Sequence, residues 1–136
     1  MEDDIILYLP WPPTINDYYG TNSYGARFIK QKARKFREAC EKALHEQYPH
    51  AILADRLLVE VVEFPPDRRK RDLDNYMKGL LDGCTVGKLW IDDSIIDQLF
   101  IYRGEVVKGG CVKVSIGPAG PIIKFDLDQS LGYVAN

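Results

Sequence analysis

The chain has little of the material from which structural metal sites and disulfide frameworks are built. It holds 2 histidines and 3 cysteines. Cys40, Cys84 and Cys111 are odd in number, far apart and in no Cys-x-x-Cys spacing, and His45 and His50 have no cysteine near them. A zinc site or a disulfide-stapled fold is therefore not expected, and the thiols should be reduced. No apolar run is long enough for a membrane span. The opening Met1-Glu2-Asp3-Asp4 is acidic where a secretory signal is basic, so the expected location is the cytoplasm. A strong excess of charge of either sign is also missing: 18 Lys and Arg against 20 Asp and Glu leave a net charge of −2. That balance argues against a uniformly basic nucleic-acid binder and shifts attention to local patches.

What is present describes an ordinary globular protein. A length of 136 residues with 46% hydrophobic and 28% charged content fits one domain large enough to bury a core. Residues 5–9 read as a short strand, ended by Pro10-Trp11-Pro12-Pro13 because proline offers a sheet no donor. Residues 14–25, rich in Asn, Tyr and Gly, read as a loop. Over residues 29–47, Ile29, Ala33, Phe36, Cys40, Ala43 and Leu44 recur at spacings of three and four, which predicts an amphipathic helix. Its other face is basic, since Arg27, Lys30, Lys32, Arg34, Lys35, Arg37 and Lys42 outnumber Glu38 and Glu41.

Residues 56–64 interleave Leu58, Val59, Val61 and Val62 with Glu60 and Glu63, predicting a strand stopped by Pro65-Pro66. A second helix starts near Asp72. Leu73, Met77, Leu80, Leu81 and Cys84 form its apolar face, Asp74, Lys78 and Asp82 a stripe on its polar flank, and Gly83 and Gly87 suit its end. Residues 95–102 and 111–116 are two predicted strands joined by a turn around Lys108-Gly109-Gly110. The order β-α-β-α-β-β predicts an α+β single domain, two helices on a mixed sheet. Gly117-Pro118-Ala119-Gly120-Pro121 reads as a linker, which divides a globular domain 1–116 from a C-terminal extension 117–136.

The densest chemistry lies between residues 68 and 93. Arg68-Arg69-Lys70-Arg71 runs straight into Asp72-Leu73-Asp74-Asn75, and a second carboxylate pair follows at Asp92-Asp93. Acid beside base suits phosphodiester cleavage. Carboxylates hold Mg²⁺, and cations bring a polyanionic backbone up to it against the carboxylates' own field. Inside a helix Asp72 and Asp74 would stand about 200° apart, whereas Asp72 at the N-cap, with non-helical dihedrals, lets both converge on one ion. Asp93 would arrive from the loop before the next strand. Three carboxylates and water fit octahedral Mg²⁺ or Mn²⁺.

A plainer reading stands beside this one: Asp72 as an N-cap, Asp74 as a first-turn acid favoured by the helix dipole, Asp92-Asp93 as a polar turn. Lys78 divides evenly on spacing alone. It is either an i, i+4 partner of Asp74, worth about 0.3–0.5 kcal/mol, or a cation that stabilises charge on a scissile phosphate. The basic helix can be a solvated face. Trp11, Tyr18, Tyr19 and Tyr24 can stack on unpaired bases, although a Trp among prolines is more often a packing anchor.

Leu9-Pro10-Trp11-Pro12-Pro13 with Asn16, then Pro66-Asp67-Arg68-Arg69-Lys70-Arg71-Asp72-Leu73-Asp74-Asn75, Lys78, Asp82, Trp90, Asp92-Asp93 and Lys108-Gly109-Gly110, together resemble the RusA-type Holliday-junction resolvases, or crossover junction endodeoxyribonucleases. The likeness runs over about residues 5–116. It implies a homodimeric, Mg²⁺-dependent endonuclease of bacterial, phage or prophage origin that nicks opposing strands of four-way DNA junctions in recombination and repair. Carried over by position, it implies that Asp72, Asp74 and Asp93 are the metal-binding catalytic acids and Lys78 the catalytic lysine. Asp92 would support them, and Arg68, Arg69, Lys70 and Arg71 would contact backbone phosphates. Two features depart from the family: Asp17 after Asn16, and the segment 117–136 past its usual end. Two rivals remain, a branched-DNA binding protein without cleavage and a general nuclease for flaps or forks. Retention of all four catalytic positions speaks against the first.

Overall fold

The computed structural model describes residues 4–125 of the chain. In chain order the elements are β1 (Ile5–Pro10), β2 (Tyr19–Thr21), β3 (Arg27–Ile29), helix α1 (Gln31–Gln47), β4 (Leu57–Phe64), helix α2 (Met77–Val86), β5 (Ile96–Arg103) and β6 (Cys111–Pro118). Four strands make one sheet in the order β1-β6-β4-β5, with β4 and β5 parallel and the other neighbours antiparallel. Two helices on a mixed sheet is the α+β arrangement expected. The parallel pair follows from connectivity, because two strands that run the same way need a crossover between them, and α2 supplies it.

Alternation along β4 fixes which face meets the helices. Leu57, Val59 and Val61 are buried and their neighbours only half-buried, the period of two that a sheet covered on one face imposes. These side chains join Leu7, Leu9, Val112, Val114 and Ile116 from the sheet and Phe36, Cys40, Leu44, Met77, Leu80 and Cys84 from the helices in a single core. Each Leu or Val buried this fully contributes about 1.5–3 kcal/mol. Trp90 closes the core's end, buried except for 1% of its surface, with its indole Nε1 donating to Thr85 Oγ1 at 2.8 Å.

Several expectations change. The loop predicted over residues 14–25 contains half of a small hairpin, in which Tyr19, Gly20 and Thr21 pair with Ile29, Phe28 and Arg27. Ile29 therefore belongs to β3, and α1 begins at Gln31. The turn around Gly109 (φ +83°) and Gly110 (φ +70°) is present, but it does not make a hairpin of β5 and β6. The chain instead carries β6 into the gap between β1 and β4. Gly83 is not a helix-end residue: a Cβ there would stand 2.6 Å from Phe36 Cε2, so the glycine lets α1 and α2 approach. Gly87 does occupy the C-cap of α2. Gly117 and Pro118 continue β6, Ala119 N donates to Arg56 O at 3.1 Å, and Gly120 N donates to Gln98 Oε1 at 2.8 Å. The remainder of the expected extension, residues 126–136, lies outside the described residues. No helix among the described residues is long and apolar enough to cross a membrane.

The close approach at Gly83 makes a test of the packing. Gly83→Val should lower stability by about 1–3 kcal/mol through overpacking against Phe36, read as a lower urea midpoint. An unchanged midpoint would contradict the helix contact.

Candidate active site

The basic run is shaped by the acid that precedes it. Pro65 and Pro66 end β4, and Asp67 then gathers the next residues: Arg69 N donates to its Oδ1 at 3.0 Å, Arg69 Nε to its Oδ2 at 3.2 Å, and Arg71 Nη1 pairs with its Oδ1 at 2.7 Å. The Arg71 hydrogen bond, then that of the Arg69 backbone, hold the Asp67 carboxyl well below the usual carboxylate range. Arg71 also donates to the carbonyls of Asp67 and Arg69 at 3.1 and 3.3 Å, and its side chain is only 11% exposed. It sits above Trp11, whose ring packs against Tyr76 with centroids 4.7 Å apart. Trp11 is thus a packing anchor. Arg68, Arg69 and Lys70 are exposed, so the run divides into three cations toward solvent and one that holds the loop. Beside it opens a cleft of about 420 Å³, lined in part by Trp11, Lys32, Lys35, Arg71 and Tyr76.

Asp72 takes the N-cap place of a 3-10 turn, Leu73–Tyr76, that precedes α2, with extended dihedrals (φ −84°, ψ 139°). The position is the one expected, yet its side chain makes no capping hydrogen bond. Asp74 lies exposed in that turn and Lys78 exposed in the first turn of α2. Asp93 arrives half-buried in a second 3-10 turn, Asp93–Ile95. That turn is placed by a two-sided bridge at Leu53, whose N donates to Leu89 O at 2.9 Å and whose O accepts from Ile91 N at 3.0 Å. Asp92 behaves differently. It caps the second turn by accepting from Ser94 N at 3.1 Å, and the Ser94 side chain, then its backbone, keep the Asp92 carboxyl below the usual range. The carboxylates of Asp72, Asp74 and Asp93 and the ammonium of Lys78 have no hydrogen-bond or ion-pair partner among the described residues. The Asp74 to Lys78 ion pair, one of the two readings of Lys78 left open by spacing, is not formed among the described residues.

One further acid approaches this group. Asp82, on α2, receives Arg37 of α1 through Nε at 3.0 Å and Nη2 at 2.7 Å, while Arg37 Nε also donates to the Tyr18 hydroxyl at 2.8 Å. Burial, and then the charge of Asp93, push the Asp82 carboxyl up; the two-pronged guanidinium opposes that and favours the charged form. Asp17 faces Lys32 Nζ at 3.4 Å.

Glu63 was not singled out by sequence. It is the one buried charged residue among those described, 2% exposed, and its Oε2 has no partner. Burial raises its carboxyl to about 7, with Asp74 adding to the rise and Arg103 opposing it. A signal existed: Glu60 and Glu63 are an odd number apart, so on a strand they cannot share the solvent face. Arg103, paired with Glu63 across β4 and β5, donates Nη2 to Arg71 O at 2.9 Å. It ties the end of the sheet to the residue before Asp72.

No three Asp, Glu, His or Cys side chains among the described residues converge tightly enough to enclose an ion. The charge of Asp74 reaches Glu63 and that of Asp93 reaches Asp82. This is an open rim of carboxylates, with one buried, orphaned oxygen beneath it. An all-oxygen donor set of this kind fits a hard divalent cation and not a soft one.

Glu63 gives a pH dependence with a definite sign. The folded state keeps a proton to about pH 7 that an unfolded chain releases near its ordinary pKa of about 4.3, so stability falls as pH rises through that interval and levels above it. In chelator, Glu63→Gln should flatten that slope, followed as urea midpoint from pH 4.5 to 8. An identical slope in the variant would contradict the burial of this carboxyl.

Comparison with known proteins identifies the family. The family described as Endodeoxyribonuclease RusA matches residues 10–117. A crossover junction endodeoxyribonuclease of Enterobacteria phage HK97 is 32% identical over 108 residues, 79% of this chain and 89% of the relative. Proteins of the same description from Shigella sonnei strain Ss046 and Escherichia coli strain K12 are 31% and 30% identical over 114 residues, 84% of this chain and 94% of each relative. The match takes in the proline-rich end of β1, the basic loop, both helices, all the acids described above and most of the last strand, and on that extent the chain belongs to the RusA endodeoxyribonuclease family.

Proposed function

We propose that the protein is a metal-dependent endodeoxyribonuclease that resolves four-way DNA junctions by paired nicks on opposing strands, acting on bacterial or phage DNA in the cytoplasm during recombination and repair. One observation carries this reading within the family: Asp72, Asp74, Asp93 and Lys78 have no partners among the described residues, while the acids around them, Asp67, Asp82 and Asp92, are engaged. Groups left free at the border of a basic loop are available to a substrate and its cation.

Asp72, Asp74 and Asp93 would hold Mg²⁺, or Mn²⁺ in its place, which when bound polarises the scissile phosphate and lowers the pKa of an attacking water. Lys78 offsets negative charge that develops on the phosphate. Arg68, Arg69 and Lys70 take backbone phosphates, and Arg71 acts on DNA through the loop it holds against Asp67. Asp92 keeps Asp93 in place as the cap of its turn. The site residues all fall in the nuclease domain read over 1–116, whose last strand runs on to Pro118, with the residues beyond it as an extension.

A junction has approximate two-fold symmetry, and so has an isologous dimer, which sets two sites against two equivalent strands. Edge strand β5 supports such an assembly, since Leu99, Phe100 and Tyr102 are exposed on it.

Asp72→Asn should abolish cutting of a labelled four-way junction in Mg²⁺ while binding stays intact or tightens, because it removes a metal charge and a repulsion toward phosphate. The turn should persist, as the Asp72 side chain makes no cap bond. Wild-type cutting by this variant would refute the metal role, and absence of cutting by the wild-type protein would favour a non-cleaving binder. Arg68→Ala with Lys70→Ala should weaken binding and lower the slope of log K against log salt by about 0.9 for each phosphate that is no longer neutralised. A slope that does not change would remove the loop from the interface.

A further inference from the structure

We propose that Glu63 is a further acid of the cation site, its Oε2 the partner of the ion or of one of the ion's waters. The inference rests on the reading of Asp72, Asp74 and Asp93 as cation-holding residues and adds a donor that comes from the sheet, beneath the loop.

Three placements support it. First, Glu63 lies on the core-facing side of β4, in the series Leu57, Val59 and Val61, and is the only member of that series able to accept a charge-assisted bond. A carboxylate does not enter an apolar row without a partner, because its desolvation is uncompensated. Yet Oε2 is buried and has none among the described residues. Second, Glu63 is the penultimate residue of β4, where the chain leaves the sheet for the basic loop; Gly104 N donates to its carbonyl at 2.7 Å, fixing its backbone to the end of β5. Third, its cross-strand neighbour Arg103 is committed to the carbonyl of Arg71 at 2.9 Å. No hydrogen bond or ion pair joins Arg103 to Glu63 among the described residues. The cation that faces Glu63 across the two strands thus clamps the loop that carries Asp72 and Asp74 and leaves the carboxylate open.

A cation held by rim acids alone would sit exposed to water on its lower side. Glu63 gives it a rigid oxygen from a strand, which restricts its position more than loop residues can. The alternative is a protonated acid that merely fills the core.

The test measures Mn²⁺ binding to metal-free protein by calorimetry, without DNA and without reference to cleavage. Wild type, Asp74→Asn, Glu63→Gln, Glu63→Met and Glu60→Gln are compared, each first shown to be folded by circular dichroism. Glu63→Met fills the same volume without polar atoms, so it reports on the site should the Gln variant fold poorly. The expected result is a loss of affinity of about 10–100-fold for Asp74→Asn and for both Glu63 variants, and none for Glu60→Gln, which lies on the opposite face of β4. Weakening by Asp74→Asn with unchanged affinity in the Glu63 variants would overturn the inference and leave the proposed metal reading standing. A wild-type protein that binds no Mn²⁺ would overturn both.

Discussion

Negative charge gathered at one end of a sheet and left unneutralised by the protein is the constraint around which this molecule is arranged. Asp74 acts on Glu63 and Asp93 acts on Asp82 by like charge. Such a group holds its place only because the backbone beneath it is over-determined. The parallel strands β4 and β5 deliver the chain to the site twice, and α2 crosses between them. Arg103 fastens β5 to the Arg71 carbonyl, Leu53 fixes the segment leading to Asp93, and the Arg37 to Asp82 ion pair joins the two helices at their polar border. None of these contacts neutralises the three rim acids. The bonds that stabilise the frame lie beside these acids, and the acids themselves are left without partners among the described residues.

The same logic separates cations that look alike in sequence. Four consecutive basic residues suggest four phosphate contacts, but Asp67 claims Arg71 with a 2.7 Å ion pair and draws Arg69 into a turn. Arg71 is thereby a scaffold for the loop, stacked near Trp11, while Arg68, Arg69 and Lys70 stay exposed to solvent. The spacing that produces this, an acid two residues before one arginine and four before another, is a local turn motif. It was readable in the sequence and outweighed by the length of the run.

Elements with a strong period were legible: α1 from its three-and-four spacing, β4 from its Val and Leu content, and the N-cap place of Asp72 from the motif around it. What was not legible depends on geometry that periodicity does not encode. The three-residue strands β2 and β3 have no apolar alternation and exist through pairing with each other. Insertion of β6 between β1 and β4 is a long-range choice that the Gly109 and Gly110 turn does not specify. The i, i+4 pair of Asp74 with Lys78 assumed a continuous α-helix, but residues 73–76 form a 3-10 turn, whose tighter winding displaces Asp74 from the row that leads to Lys78. Glu63 was hidden because a charged residue in a strand is ordinarily assigned to solvent, and only its odd spacing from Glu60 told otherwise.

Family membership and free acids lead to a claim about substrate shape: two sites on a two-fold assembly cut two equivalent strands. The most direct measurement incubates the protein with Mg²⁺ and four substrates in parallel, a labelled four-way junction, a fork, a flap and a linear duplex, and maps every cut. The account predicts cleavage confined to the junction, with nicks at symmetry-related positions on opposing strands. Equal cutting of fork and flap, or nicks on a single strand of the junction, would contradict it.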